Sequence, residues 1–298
     1  MSDFDHLYSI FALMSLFFGY IFRVFRWHFL LSISGSNILI SKCIAPFMGS
    51  IALNNILPLR AGDIFRAVIF PRYIGIKKSV STSSILIERI FDLITLLIFI
   101  LIGFSLKIIG DFILGAKIIA FGSFILSIIA LMVVSSCSKF LADHMLQFIN
   151  NKRIPKSNFK YKLIIMIIDL LNSLDHMSKP SVLFITGILS FLIWISEAGV
   201  FYILMLGFNF DSSIEIALVI MSIATLSTFL PSTPGYIGPF HLAVFTAISF
   251  FGYSSDLSAS YAILSHLLIW LPTTIIGVSV ILFNPRLFKF NKEQKFIS

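Results

Sequence analysis

Leu53-Asn54-Asn55-Ile56-Leu57-Pro58-Leu59-Arg60-Ala61-Gly62-Asp63-Ile64 interrupts one apolar run of the chain. Leu226-Ser227-Thr228-Phe229-Leu230-Pro231-Ser232-Thr233-Pro234-Gly235-Tyr236-Ile237 interrupts another, 173 residues later. Both read Leu-x-x-x-Leu-Pro-x-x-x-Gly-x-Ile. Proline removes a backbone donor and glycine opens the left-handed backbone region, so each stretch reads as a helix break. In hydrocarbon such a break is tolerated only where protein or a polar cavity satisfies the freed backbone groups. The recurrence reads as an internal repeat. Two proline-kinked helices with structural glycine turns are the simpler alternative.

The surroundings of these breaks extend over the whole chain. Of 298 residues 58% are hydrophobic and 12% charged, against about 45–50% and about 25% in soluble domains. That excludes a soluble enzyme, a disordered chain and a coiled coil. The 33 phenylalanines suit lipid-facing helices. About 20 apolar residues are needed to cross the hydrocarbon core, and 7–25, 83–106, 113–136, 181–206 and 258–283 qualify. The interrupted regions are 38–57, resumed over 62–76, and 214–230, resumed over 236–252. The fold class is therefore an all-α polytopic helical membrane protein, with five spans plus two broken or re-entrant helical hairpins in an inverted repeat. One integral membrane domain, 1–298, is expected. It comprises a first half over about 7–136, an amphipathic cytosolic connection over about 137–180, a second half over about 181–283 and a basic tail, 284–298. Cys43 and Cys137 read as passive small hydrophobes. Asp3 and Asp5, with no basic residue before the first apolar run, do not suit a cleavable signal peptide.

The net charge of +8 becomes informative once located. Arg23 and Arg26 follow the first expected span. Arg60, Arg66, Arg72, Lys77 and Lys78 follow the first break, Lys139 to Lys162 occupy the connection, and Arg286 to Lys295 the tail. Asp3, Asp5, Asp211, Glu215 and Asp256 mark the poorly basic connections. Basic loops lie on the cytosolic side, which sets the N-terminus outside and the C-terminus in the cytosol of a cell-membrane protein. One hairpin then enters from inside and the other from outside, the arrangement of transporters that bind substrate between two inverted halves. The charge requires no nucleic-acid partner.

The chain resembles the flippase-like transmembrane domain family, the membrane region of lysylphosphatidylglycerol synthases and their stand-alone relatives. The resemblance rests on Arg23-x-x-Arg26-Trp27-x-x-Leu30-Leu31, Leu57-Pro58-x-Arg60-x-Gly62-Asp63-x-x-Arg66-Ala67, Glu88-Arg89-x-x-Asp92 and Leu230-Pro231-Ser232-x-Pro234-Gly235-x-x-Gly238. It implies a polytopic protein that translocates charged or glycosylated lipids between leaflets. Where the family is often acidic, after the last of these motifs, this chain has His241. The chain ends at Ser298, soon after the last expected span, so the synthases' cytosolic aminoacyl transfer is not carried over.

Arginine is costly inside a membrane and is usually functional or paired there. Arg60 and Arg66, beside the Gly62 turn, could clamp a lipid phosphate, or snorkel to the interface. Asn54 and Asn55 can bond freed backbone. Glu88 and Asp92, four residues apart on one helix face, could hold Arg60, Arg66 or Arg89, or take a coupling proton. Asp63 reads as a local cap. Glu197, deep in an apolar run, needs a cation nearby to stay ionised, and His266 is similarly placed; both are candidate proton sites or interhelical hydrogen-bonders. Ser232, Thr233, Gly235, Gly238 and His241 are candidates to line the second break. No metal constellation, catalytic triad or nucleotide-binding glycine loop is read, so no cofactor and no catalytic residue are assigned. Without an ATP-binding element, an ion gradient or the lipid gradient would drive transport. The leading expectation is a flippase for a polar-headed, anionic or glycosylated membrane lipid. A membrane-embedded transferase on a lipid-linked substrate, or a non-catalytic partner of a cell-envelope enzyme docked on the basic loop and tail, are the alternatives.

Overall fold

A computed structural model of the chain describes residues 4–35, 37–107, 111–152, 155, 158–210, 213–229 and 233–288. Among the described residues all regular structure is helical: α1 (Leu7–Ser32), α2 (Ser41–Ile56), α3 (Ala61–Val68), α4 (Pro71–Ile74), α5 (Lys78–Lys107), α6 (Asp111–Lys152), α7 (Phe159–Met177), α8 (Pro180–Gly207), α9 (Ile214–Ser227), α10 (Pro239–Phe250) and α11 (Ser255–Phe283). Prolines open α4, α8 and α10, where a missing N–H costs nothing. The Ser254 hydroxyl caps α11 by accepting from Leu257 N–H.

Helices α1, α8 and α11 are each long and apolar enough to cross a membrane, and the bent pair Ile118–Val134 and Ser136–Lys152 within α6 is a fourth if it forms one span. The expected span 83–106 lies inside the 30-residue α5. Two expected boundaries shift. The first span is expected to end at 25, but α1 continues to Ser32, so that both Arg23 and Arg26 lie within the helix, with Arg26 3% exposed. The helix expected over 113–136 runs on to Lys152 and packs against α7, which carries the apolar stripe from Tyr161.

Both interrupted regions are short helix pairs. At about 1.5 Å per residue, α2 (16 residues) is about 24 Å long and α9 (14 residues) about 21 Å. Helices α3 and α10 are shorter still, at 8 and 12 residues, so no arm alone matches a hydrocarbon core of about 30 Å.

The long helices pack reciprocally. Helices α1 and α8 run antiparallel, Tyr8 lying at Gly207 and Arg26 at Ser190. Helix α11 lies on α2, where a side chain at Gly277 would strike Met48 O at 2.4 Å and Ala52 Cβ at 2.6 Å. Helix α5 lies on α9, where a side chain at Gly103 would strike Val219 at 2.3 Å and Glu215 O at 2.7 Å. Two long helices, α11 and α5, thus each press on the first arm of an interrupted region, α2 and α9. The main apolar core joins α1, α8, α9, α10 and α11 around Leu204, Met221 and Tyr261.

Candidate functional site

The charged residues converge where α1, α3, α5 and α8 meet. Glu88 and Asp92, one turn apart on α5, point to different partners. Glu88 Oε2 accepts from Arg66 Nη2 at 2.6 Å, with both side chains 2% exposed. The Arg66 guanidinium lies against the neighbouring rings of Phe47 and Trp27, 4.9 and 5.2 Å from their centroids. Asp92 Oδ1 accepts from Arg26 Nη1 at 2.7 Å and from Trp194 Nε1 at 3.0 Å. Arg26 Nη1 also reaches Ser190 Oγ at 2.7 Å. Charges this far from water persist only when paired and hydrogen-bonded. Among the described residues, Arg66 Nε and Nη1, Arg26 Nε and Glu88 Oε1 are buried with no hydrogen-bond partner.

The first break is braced by its own polar residues. Asn54 Nδ2 donates to Asp63 Oδ1 at 3.1 Å, and Asp63 N–H donates back to Asn54 Oδ1 at 3.1 Å. Gly62 is obligatory for this closure, because a Cβ there would sit 1.8 Å from Ser50 O. Asp63 Oδ2 accepts from Arg89 Nη2 at 2.6 Å, and Arg89 Nη1 lies 3.4 Å from Asp92 Oδ2. Asp63 is therefore a member of the ion-pair network as well as the local partner of Asn54.

Arg60 belongs to neither group. It sits at the first break in left-handed backbone, φ 51°, directly after Leu59 at φ 58°. Its Nη2 donates to Thr228 Oγ1 at 2.6 Å, its Nε to Thr228 O at 3.2 Å, and its guanidinium lies 4.2 Å from the Phe229 ring centroid. Among the described residues no carboxylate lies within 4.0 Å of it. Asn55 makes the converse connection. Its Nδ2 donates to Thr274 Oγ1 at 2.8 Å and Thr273 Oγ1 at 3.1 Å, beside Pro272 of α11. Its carbonyl accepts from Trp270 Nε1 at 3.3 Å, and Gly235 packs against that same carbonyl and indole. The two breaks are in contact.

Glu197 has the cation it requires, Arg23 Nη2, at 2.8 Å, with that guanidinium between Tyr20 and Trp194. His266 Nε2 lies 2.8 Å from Gly235 O, and its ring is 4.6 Å from that of His241. Thr233 donates locally to Ile237 O, and Gly238, at φ 102°, opens α10. Ser232, with Leu230 and Pro231, lies outside the described residues.

Of the candidates named from sequence, Arg66, Glu88, Arg89 and Asp92 share one network with Asp63, and Arg60 approaches the second break without joining it. Arg66 is sealed between α3 and α5, away from the surface that Arg60 occupies. Sequence reasoning placed Arg23 and Arg26 after the first span as orientation signals; both are interior ion-pair partners. The spacing Arg23-x-x-Arg26 with Trp27 beside it was the available signal, since residues three apart share a helix face. Ser190, Trp194 as a hydrogen-bond donor and Thr228 carried no signal of their own. In all, five arginines (23, 26, 60, 66, 89) face four carboxylates (Asp63, Glu88, Asp92, Glu197), each carboxylate bound to an arginine other than Arg60.

A UPF0104 membrane protein of Methanocaldococcus jannaschii is 22% identical over 268 residues, covering 88% of this chain and 80% of the relative. No solved structure matches the chain. Residues 1–277 match the family described as the lysylphosphatidylglycerol synthase TM region. A helical, multi-pass chain with buried ion pairs between its helices, matched over nearly its whole length, belongs to that family of membrane proteins linked to lipid or cell-envelope processes.

Proposed function

We propose that the protein moves a lipid with an anionic, phosphate-bearing headgroup between the leaflets of the cell membrane, the headgroup passing where the two helix breaks meet. One observation carries this reading: Arg60 is the arginine left over after every carboxylate of the cluster is taken, and it stands half-buried at the junction of the breaks. Its present partners, the hydroxyl and carbonyl of Thr228 and the phenol of Tyr236, are neutral. A phosphate oxygen there would make a charge-assisted bond about twice as strong as a neutral one. The reciprocal packing of α11 on α2 and α5 on α9 supports two inverted halves with the site between them. The basic residues at Arg72 to Lys78, along α6 and α7, and at Arg286 support an N-terminus outside and a C-terminus in the cytosol.

The test is reconstitution into liposomes with fluorescent phosphatidylglycerol, a labelled lipid-linked sugar phosphate and labelled phosphatidylcholine, followed by chemical quenching of the outer leaflet. The protein is expected to accelerate movement of a phosphate-anionic lipid over phosphatidylcholine. Arg60→Gln is expected to slow it by on the order of ten- to a hundredfold, the factor for one charge-assisted hydrogen bond. No acceleration for any of the lipids, or an unchanged rate in Arg60→Gln, refutes the proposal.

A further inference from the structure

Helices α5, α6, α9 and α10 enclose a cleft of about 1380 Å³. Among the described residues no charged side chain lines it, and its side-chain polar groups are the hydroxyls of Ser123, Ser127, Ser227 and Thr246. Along α5 its lining runs from Ile90 to Phe104, about 21 Å at helical rise, against about 15 Å for the hydrocarbon of one leaflet. One end abuts the charged cluster. Ile90 follows Arg89 directly, and Leu226 and Ser227 of the lining lead straight to Thr228, which holds Arg60.

We infer that this cleft seats one acyl chain of the anionic lipid whose phosphate Arg60 receives. The inference rests on the anionic-lipid reading of Arg60 and goes beyond it. The substrate is gripped at both ends, its headgroup by a guanidinium and a chain by a protein cleft instead of by bulk lipid. A cleft with no charge among its described lining residues over about 21 Å, and at its end a cation with no carboxylate among the described residues within 4.0 Å, is complementary to an amphiphile whose charge is negative and terminal. A wholly apolar occupant would leave Arg60 unanswered, and a soluble anion would leave the cleft unfilled.

The experiment uses the full chain in vesicles containing phosphatidylglycerol that carries a photoactivatable diazirine in one acyl chain. Photolabelling is expected within Ser123–Ala130 of α6 and Leu242–Ala247 of α10. Unlabelled phosphatidylglycerol should compete at least about fivefold better than phosphatidylcholine, and Arg60→Gln should erase that preference. Ala130→Phe and Ala243→Phe, which fill the cleft from facing helices, should each cut the labelling and slow lipid movement at least about fivefold. Two such variants, each checked for monodisperse elution in detergent, separate a filled cleft from a misfolded chain. Labelling spread equally onto the exposed face of α1 around Phe11 and Phe18 overturns the inference, as does equal competition by phosphatidylcholine. Unchanged movement in both folded variants, while the parent chain moves phosphatidylglycerol, overturns the cleft alone and leaves the translocation reading intact. Anion-selective labelling without movement of any lipid overturns translocation and leaves the binding site standing.

Discussion

Arg66 and Glu88 show what a single pair does in this protein. Both side chains are 2% exposed, and the guanidinium is packed against two aromatic rings. Removing one partner leaves the other as an unpaired buried charge, which costs about 3–5 kcal/mol, whereas replacing both by apolar residues of similar volume is often neutral. Glu88→Gln is therefore expected to lower the thermal unfolding midpoint in detergent sharply, and Arg66→Met combined with Glu88→Met to recover most of the loss. A double variant no more stable than the single one would contradict this. Leu59, 70% exposed and in left-handed backbone, makes the opposite prediction. Left-handed backbone costs a non-glycine residue about 1–2 kcal/mol, so Leu59→Gly should raise that midpoint slightly. At this scale the sequence spacing revealed that Glu88 and Asp92 share a face, because helical neighbours are encoded locally. It did not reveal that Asp92 takes Arg26 and Trp194, 66 and 102 positions away, because such pairing is decided by tertiary packing.

The elements are held by close backbone approach at Gly62, Gly103 and Gly277. Gly277→Ala and Gly103→Ala would each drive a methyl into the backbone carbonyl of a facing helix, and overpacking of this kind costs about 1–3 kcal/mol. Both are expected to destabilise the protein in a thermal melt, while Gly122→Ala in α6, with nothing within 4 Å of the added methyl, should not. Equal midpoints for all three variants would mean that these helix contacts do not hold the halves together. The breaks themselves were legible, since Pro58 and Gly62 announce the end of α2 and the tight turn into α3. The helix ends elsewhere were less so. Arg23 and Arg26 look terminal on hydropathy alone, yet α1 runs through both because α5 and α8 supply Asp92 and Glu197. Helix α6 outlasts its apolar stretch because α7 packs along its far end.

For the whole molecule, composition alone identified a helical membrane protein, and the location of its basic residues yields an orientation open to direct test. Single cysteines replacing Lys152 and Lys162 should react with an impermeant thiol reagent only from the cytosolic side, and one at Asp256 only from outside, in a background lacking Cys43 and Cys137. The reverse labelling pattern would invert the orientation and with it the direction from which each break is entered. The contact between the breaks was not legible, because Thr228 and Asn55 acquire their meaning only when the two halves are set against each other. The same architecture bears on how the chain is made. Helix α1 is synthesised before α5 and α8 and carries two arginines into an apolar phase, yet Asp92 follows 66 residues after Arg26 and Glu197 174 residues after Arg23. Until α8 leaves the ribosome the first helix is an incomplete guest in the bilayer. The two arginines of α1 thus gain their counter-ions one at a time as the chain lengthens, Arg26 with α5 and Arg23 only with α8.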